Sequence, residues 1–386
     1  MSDAEQATIV VAGAGIGGLT AAVALGRRGR QVLVVERRGE VSEAGTAITL
    51  WPNALSALDV IGVGPSVRDL GAAVFFGGMQ RPDGSWVRRF DDRRLRDALG
   101  GPLVVVSRGD LLAALSAAVD PSMIRFGAEV ESYRIVPGPA VEVRLADGTV
   151  LAAAGLVGAD GAGSAVAGQL QPGLEPSYAG YTAWRGVAAA DISHITPSQT
   201  WGPGGEFGYL PMRGGRTYWF ATGNTAEAGH EPDGEQHHLR RRFADWHDPI
   251  GQLIAATGPE AILRHDIYDR TSAARWSDGP VVVIGDAAHP MRPHLGQGGC
   301  QAIEDGVLLA AAVDGRADLA AAFSRFARVR RPRVRRIVRE SALIGQAIQG
   351  RGPWTAAVGL NMRFSPERAV LRHLAGIGGT RPVSAR

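Results

Sequence analysis

The chain has 386 residues, enough for two or three domains around a full apolar core, and 45% hydrophobic content with 53 glycines fits an α/β protein rich in tight turns. All 41 basic residues are arginine, and the lack of lysine excludes Schiff-base catalysis and a Walker-type phosphate loop. A net charge of +3 is too small to predict a nucleic-acid partner, and Cys300, the single cysteine, excludes an internal disulfide or a cysteine-rich metal site.

Residues 1–6 are polar and acidic, so no signal segment is expected. No apolar run reaches the roughly 18 residues a membrane span needs, which makes the cytoplasm the expected location. Residues 8–12 form a β-branched strand that stops at Gly13, Gly15, Gly17 and Gly18; residues 19–28 then read as a helix and 32–35 as a second strand ending at Glu36. In this βαβ unit the first glycine makes a tight turn, the second admits a pyrophosphate and the third lets helix and strand pack closely. The helix N-terminus faces the anion, and Glu36 stands where an acid accepts hydrogen bonds from an adenosine ribose. Alone, this spacing says only adenine dinucleotide.

Ala146-Asp147-Gly148 reads as the turn of a hairpin between 141–145 and 149–151, and 155–159 as a strand entering Asp160-Gly161. From about 182 to 276 aromatics become frequent and alanine-rich helices thin out, the texture of a second domain. Within it, 206–223 reads as a hairpin turning on Gly214-Gly215. A two-residue turn sets Pro211 opposite Tyr218 and Tyr209 opposite Phe220, so Phe207, Tyr209, Tyr218 and Phe220 share one face. Such an aromatic wall either fills a core or lines an apolar substrate pocket, with the pocket as the favoured reading. A buried strand returns at 281–284, followed by Gly285-Asp286, a glycine-rich loop and a helix from about 301 to 313. The tail from about 320 reads as helical, with the arginine run 325–339 as a solvated face.

With Gly158-Ala159-Asp160-Gly161 and the run GDAAHPMRPHLGQGGCQAIEDG over 285–306, the sequence resembles the group A flavoprotein monooxygenases, closest in motif to the branch of urate hydroxylase, zeaxanthin epoxidase and salicylate hydroxylase. The resemblance implies an α/β fold: a Rossmann-like FAD-binding domain (1–75, 102–181 and 277–319), a substrate domain on a mixed sheet (76–101 and 182–276) and a C-terminal helical segment (320–386). It also implies FAD, with NADH or NADPH as transient donor, and oxygen transfer from a flavin C4a-hydroperoxide to a small aromatic or unsaturated substrate, without a metal.

The same resemblance assigns Asp286 to the flavin's ribityl or ribose hydroxyls, Arg108 to the pyrophosphate, and Asp160 to both FAD and NAD(P)H. It sets Gly296, Gln297, Gly298, Gly299 and Cys300 beside the isoalloxazine ring. Arg37, Thr49 and Val130 complete the expected cofactor set, and Pro293 joins the pocket. His294, Tyr218 and Arg185 are the candidates for orienting or deprotonating substrate, while His289 reads as structural. Urate hydroxylases carry an arginine near the position of Phe207, so a less polar ring than urate is expected. A flavin dehydrogenase without oxygen insertion and a non-catalytic flavoprotein are the alternatives, and the chain is expected to act as a monomer or homodimer.

Overall fold

The computed structural model describes residues 8–41, 46–137, 140–229, 231–315, 318–350 and 353–380. The acidic stretch 1–6 lies outside them.

The first strand, β1 (Ile9–Ala12), sits at the centre of a six-stranded sheet. It pairs in parallel with β2 (Val32–Glu36) on one side and β12 (Gly155–Gly158) on the other. Beyond these lie β8 (Ile124–Phe126) and β19 (Val281–Val283), with the short β18 (Ser277–Asp278) as an antiparallel edge. Strands covered on both faces are uniformly apolar, which is why 9–12 and 281–283 show no alternation. The helix Ile16–Gly26 and the later helix Gly298–Val313 pack on this sheet, so segments nearly 300 residues apart share one core. A three-stranded antiparallel sheet of β9 (Val130–Val136), β10 (Ala140–Leu145) and β11 (Val150–Ala153) contains the expected Asp147-Gly148 turn. Another joins β3 (Ala47–Leu50), β4 (Ala72–Val74) and β7 (Leu103–Ser107).

The seven-stranded sheet is mixed. Its order is β17 (Leu263–Arg270), β13 (Pro176–Ala188), β16 (Arg216–Asn224), β15 (Gly205–Met212), β14 (Ser198–Gly202), β5 (Gly78–Gln80) and β6 (Trp86–Arg89). Only β14 and β5 run parallel. One face packs on the helices Glu235–Arg242 and Ile250–Ala255; the other turns toward the first sheet.

The β15–β16 hairpin forms, but one residue away from the expected register. Leu210 stands opposite Tyr218, and Tyr209 opposite Trp219, so three residues, 213–215, make the turn. Gly214 and Gly215 both hold positive φ, at 75° and 64°. A slip of one residue moves a side chain to the opposite face. Phe207 and Tyr209 therefore leave the expected pocket wall and join the outer core, where Phe207 stacks on Trp219 at 5.3 Å between ring centres. Tyr218 and Phe220 stay on the inner face.

The C-terminal segment folds as three helices, Leu319–Gln349, Pro353–Phe364 and Glu367–Gly378. The arginine run is not all solvated. Arg330 is buried and reaches Glu304 at 2.6 Å and Asp305 at 2.7 Å, while Arg333 donates to the carbonyls of Gly376 and Ile377, both at 2.8 Å. Arg330 lies on the buried face of the Leu319–Gln349 helix with Phe326, Val334 and Ile337, and Arg333 is half-buried beside it. No helix among the described residues is long and apolar enough to cross a membrane.

Candidate active site

Between the six-stranded sheet and the inner face of the seven-stranded sheet lies a crevice of about 1220 Å³. That exceeds the ~300–1,000 Å³ of an ordinary small-ligand pocket. At one end is the glycine turn. Gly13 has φ of +100°, and a Cβ there would lie 2.6 Å from the Ala159 carbonyl oxygen. A Cβ on Gly18 would meet the Gly13 carbonyl at 1.9 Å, whereas one on Gly15 would meet nothing within 4 Å. Gly13 and Gly18 thus serve backbone packing, and Gly15 leaves open space facing the crevice. Gly17 and Gly18 do not line it; Gly17 packs toward Ala302 instead. Glu36 accepts from the Ala14 amide at 2.8 Å and the Arg38 amide at 3.0 Å, which sets its carboxylate at the rim of the turn.

Arg37, Thr49, Arg108, Val130, Asp160 and Asp286 all line the same crevice. Arg108 opens the helix Arg108–Ser116, which Ser107 caps through the Asp110 amide. Burial pushes the Asp160 carboxyl up, against the pull of the Ser164 hydroxyl. Asp286 is exposed into the crevice, and its backbone carbonyl accepts from Arg270 at 2.9 Å. Farther along, Pro293, His294, Gly296, Gln297, Gly298 and Gly299 form a loop that ends in the N-terminus of the helix Gly298–Val313. First-turn amides of a helix carry no intrahelical partner and a partial positive charge. Cys300 departs from the expected set, because its buried thiol turns from the crevice toward the carbonyls of Thr49 and Gly296, both at 3.7 Å. Burial raises that thiol to about 12.

The inner face of the seven-stranded sheet supplies Arg185, Tyr218, Phe220, Glu206 and His265. Tyr218 is buried, its phenol pushed up by burial against the pull of Arg185 and Thr46 at the hydroxyl. Arg185 has no carboxylate partner among the described residues. Burial, then the charges of Arg185 and Arg108, push the His265 imidazole down, so it is neutral at pH 7. His294 lies in a different setting. Its Nδ1 meets Glu206 Oε1 at 2.7 Å and its Nε2 meets the Tyr181 hydroxyl at 3.0 Å, with both His294 and Glu206 side chains buried. Both ring nitrogens are therefore engaged, which suits the residue to fixing the loop on the sheet.

His265, Glu206 and Tyr181 are additions to the sequence reading. Glu206 carried a legible signal, since a carboxylate inside an apolar strand must be paired when buried. His265 lies on a strand whose alternation is masked by charged residues at 264, 266 and 269. His289, expected to be structural, is buried with Nε2 at 2.6 Å from Asp305.

An adenine dinucleotide suits this lining: a side-chain-free approach at Gly15, an acid at the ribose position, an arginine, and a helix N-terminus beyond. Residues 6–341 match the family model described as an FAD binding domain. The chain belongs to the FAD-binding domain family. Aurachin C monooxygenase/isomerase of Stigmatella aurantiaca is 40% identical over 352 residues, 91% of each chain. Chloroplastic zeaxanthin epoxidase of Nicotiana plumbaginifolia is 36% identical over 325 residues, 80% of this chain; the match spans about half, 49%, of that longer protein. A variant of Klebsiella pneumoniae HpxO, solved with FAD, superposes with a TM-score of 0.89 at 29% identity, covering 97% of this chain and 99% of that one. The protein is an FAD-dependent monooxygenase, with FAD as its cofactor and NAD(P)H as its electron donor. Its fold is that of the FAD-dependent hydroxylases.

Proposed function

We propose that this monooxygenase hydroxylates or epoxidises a small aromatic or unsaturated substrate carrying one acidic or strongly polar oxygen, held between the inner face of the seven-stranded sheet and the loop 293–299. The observation that carries this is the combination of Arg185 without a carboxylate partner, neutral His265 and buried Tyr218 on a wall that also carries the apolar Phe220, Leu210 and Met79. Residues 76–101 and 182–276 supply that wall, and 1–75, 102–181 and 277–319 hold the cofactor. We place the enzyme in the cytoplasm, where one buried thiol suits a reducing compartment.

Gly15, Glu36, Arg108 and Asp286 would hold FAD, which when bound supplies oxygen activation and transfer at the expense of NAD(P)H. Arg185 orients a substrate oxygen and stabilises its anionic form, as a charged donor in a dry site does best. His265 accepts the proton released there, and its lowered value leaves it free to do so at neutral pH. The amides of Gly298 and Gly299 hold a positive field over the loop. Apolar lining excludes water, which would otherwise divert the reaction to peroxide. His294 is a positioning residue, clamped by Glu206 and Tyr181.

Urate is not the expected substrate. Phe207 faces the outer core, and its neighbour Glu206, which faces the crevice, is a carboxylate committed to His294 and Gln199 that offers a urate anion no cation at that position. The decisive experiment incubates purified flavoprotein, NADH or NADPH and a panel of phenols, hydroxylated heteroarenes and polyenes. Faster NAD(P)H consumption matched by a product one oxygen heavier is expected. Arg185→Met should raise KM by about 10- to 100-fold, the loss of one charged hydrogen bond. Stimulated consumption that yields only hydrogen peroxide across the panel overturns the reading.

A further inference from the structure

The inner face of the seven-stranded sheet changes character from one side to the other. His265 on β17 and Arg185 on β13 make one side polar, and Tyr218 and Phe220 on β16 are aromatic. Strands β15 and β14 carry Leu210 and Trp201 beside the hydrogen-bonded pair Glu206 and Gln199, and Met79 on β5 is aliphatic. Past Met79 the crevice continues into an arm lined by Phe76, Phe90, Leu95, Leu99, Val370 and Leu374. The last two come from the helix Glu367–Gly378, packed against the helix Asp92–Leu99. Phe90, Leu95 and Leu99 expose no more than 4% of their surface and form the arm's packed floor, while Phe76 and Leu374 are half-buried and keep surface open to the space. An apolar lining of this kind binds water poorly and hydrocarbon well.

Adjacent strands lie about 4.8 Å apart, and β13 is four steps from β5, so the polar head of the site and the mouth of the arm are separated by about 19 Å. A single ring cannot reach across that distance. We propose that the substrate is an elongated amphiphile, its acidic ring at Arg185 and His265 and a hydrocarbon tail running over Leu210 and Met79 into the arm closed by Val370 and Leu374. This rests on the monooxygenase reading above and adds the tail. The C-terminal helix then acts as a ruler for tail length.

The test titrates purified flavoprotein with 4-alkylphenols from methyl to nonyl, following the perturbation of the flavin absorbance band as the binding signal. Each added methylene should tighten binding roughly two- to fourfold until the arm is full, after which affinity levels off. Leu374→Trp should bring the plateau to shorter chains while flavin content and 4-methylphenol affinity stay as in the parent. Leu374→Ala, which only removes volume, should move the plateau to longer chains. Affinity that does not depend on chain length, including no binding at any length, overturns the tail site, as does a plateau that neither substitution moves. NAD(P)H consumption with oxygenated product from the short phenols would leave the monooxygenase reading standing in that case. Chain-length-dependent binding without any oxygenated product would instead remove that reading and keep the apolar arm.

Discussion

At the scale of single residues, two glycines three positions apart do opposite jobs, and their alanine variants should separate them. Gly15 has φ −77°, open to any residue, and space in front of it. Gly15→Ala should therefore fold with an unchanged melting temperature as apoprotein and lose flavin affinity at least about tenfold, since the methyl occupies the surface that a phosphate must approach. Gly18→Ala places a methyl 1.9 Å from a backbone carbonyl, so the turn itself must shift. Loss of folded yield, measured by circular dichroism before any cofactor is added, is the expected outcome. If both variants bound flavin alike, the division of labour in the turn would be wrong. Cys300 supplies a second residue-scale expectation. With its thiol raised to about 12 and no exposed surface, it should resist alkylation in the native protein and react only on unfolding. Labelling in native buffer at the rate of a free thiol would contradict its place against the Thr49 carbonyl.

At the scale of elements, the β15–β16 hairpin sorts its aromatics by register, and this yields a contrast between neighbours. Phe207→Ala empties the outer core beside Trp219 and should cost about 3–5 kcal/mol of stability while leaving substrate response intact. Tyr218→Phe removes a hydroxyl beside Arg185 and should alter substrate response with little change in stability. Equal substrate effects from the two would restore the one-face arrangement that a two-residue turn implies. Much of the fold was legible for physical reasons: a strand buried on both faces is a pure apolar run, a helix after it shows glycine spacing, and Asp147-Gly148 fits one kind of turn. The hairpin's existence was equally clear, but not its register, because Arg213-Gly214-Gly215 permits loops of two or three residues and β16 carries aromatics on both alternations, Tyr218 and Phe220 on one and Trp219 on the other. The site was legible where backbone chemistry dictates residue type, as at Gly13, Glu36 and Asp286. It was opaque where partners meet only in three dimensions, as with Glu206 and His294, or where a distant helix brings Val370 and Leu374 to the wall.

The buried network between the Gly298–Val313 and Leu319–Gln349 helices belongs to this scale too. Burial alone would push the Asp305 carboxyl up, but Arg330 and His289 beside it hold it at about 2, below its ordinary 3.8. A carboxyl depressed in the folded state stabilises the protein above its unfolded value and withdraws that support as pH falls toward the folded one. Stability should therefore decline between about pH 4 and pH 2, and Asp305→Asn should flatten that part of the profile in chemical denaturation. Arg330→Met removes the buried cation that bridges both carboxylates, leaving Asp305 to His289 and Glu304 to Arg333 and Asn53, and should cost about 3 kcal/mol at pH 7. A profile that keeps its slope in Asp305→Asn would assign acid sensitivity elsewhere.

For the whole molecule, the crevice draws its walls from residues 12–51, 76–112, 128–165, 183–222, 263–299 and 340–377, so no contiguous piece of the chain makes the site. A ligand bound there ties those segments together and stabilises only the folded arrangement. Binding at one hundred times Kd adds about 2.7 kcal/mol, which for a chain of this size raises the melting temperature by roughly 3–4 °C. Adding FAD to apoprotein should produce that rise, and limited proteolysis of the C-terminal helices should slow with it, because Val370 and Leu374 border the same space as Gly15. Asp286→Ala should reduce the shift without lowering the melting temperature of the apoprotein, since that side chain is exposed into the crevice. A ligand that binds only the folded state must raise the melting temperature whether or not the crevice is already rigid. Coincident melting curves with and without FAD would therefore mean that FAD does not bind there, and would overturn the assignment of this crevice as the flavin site.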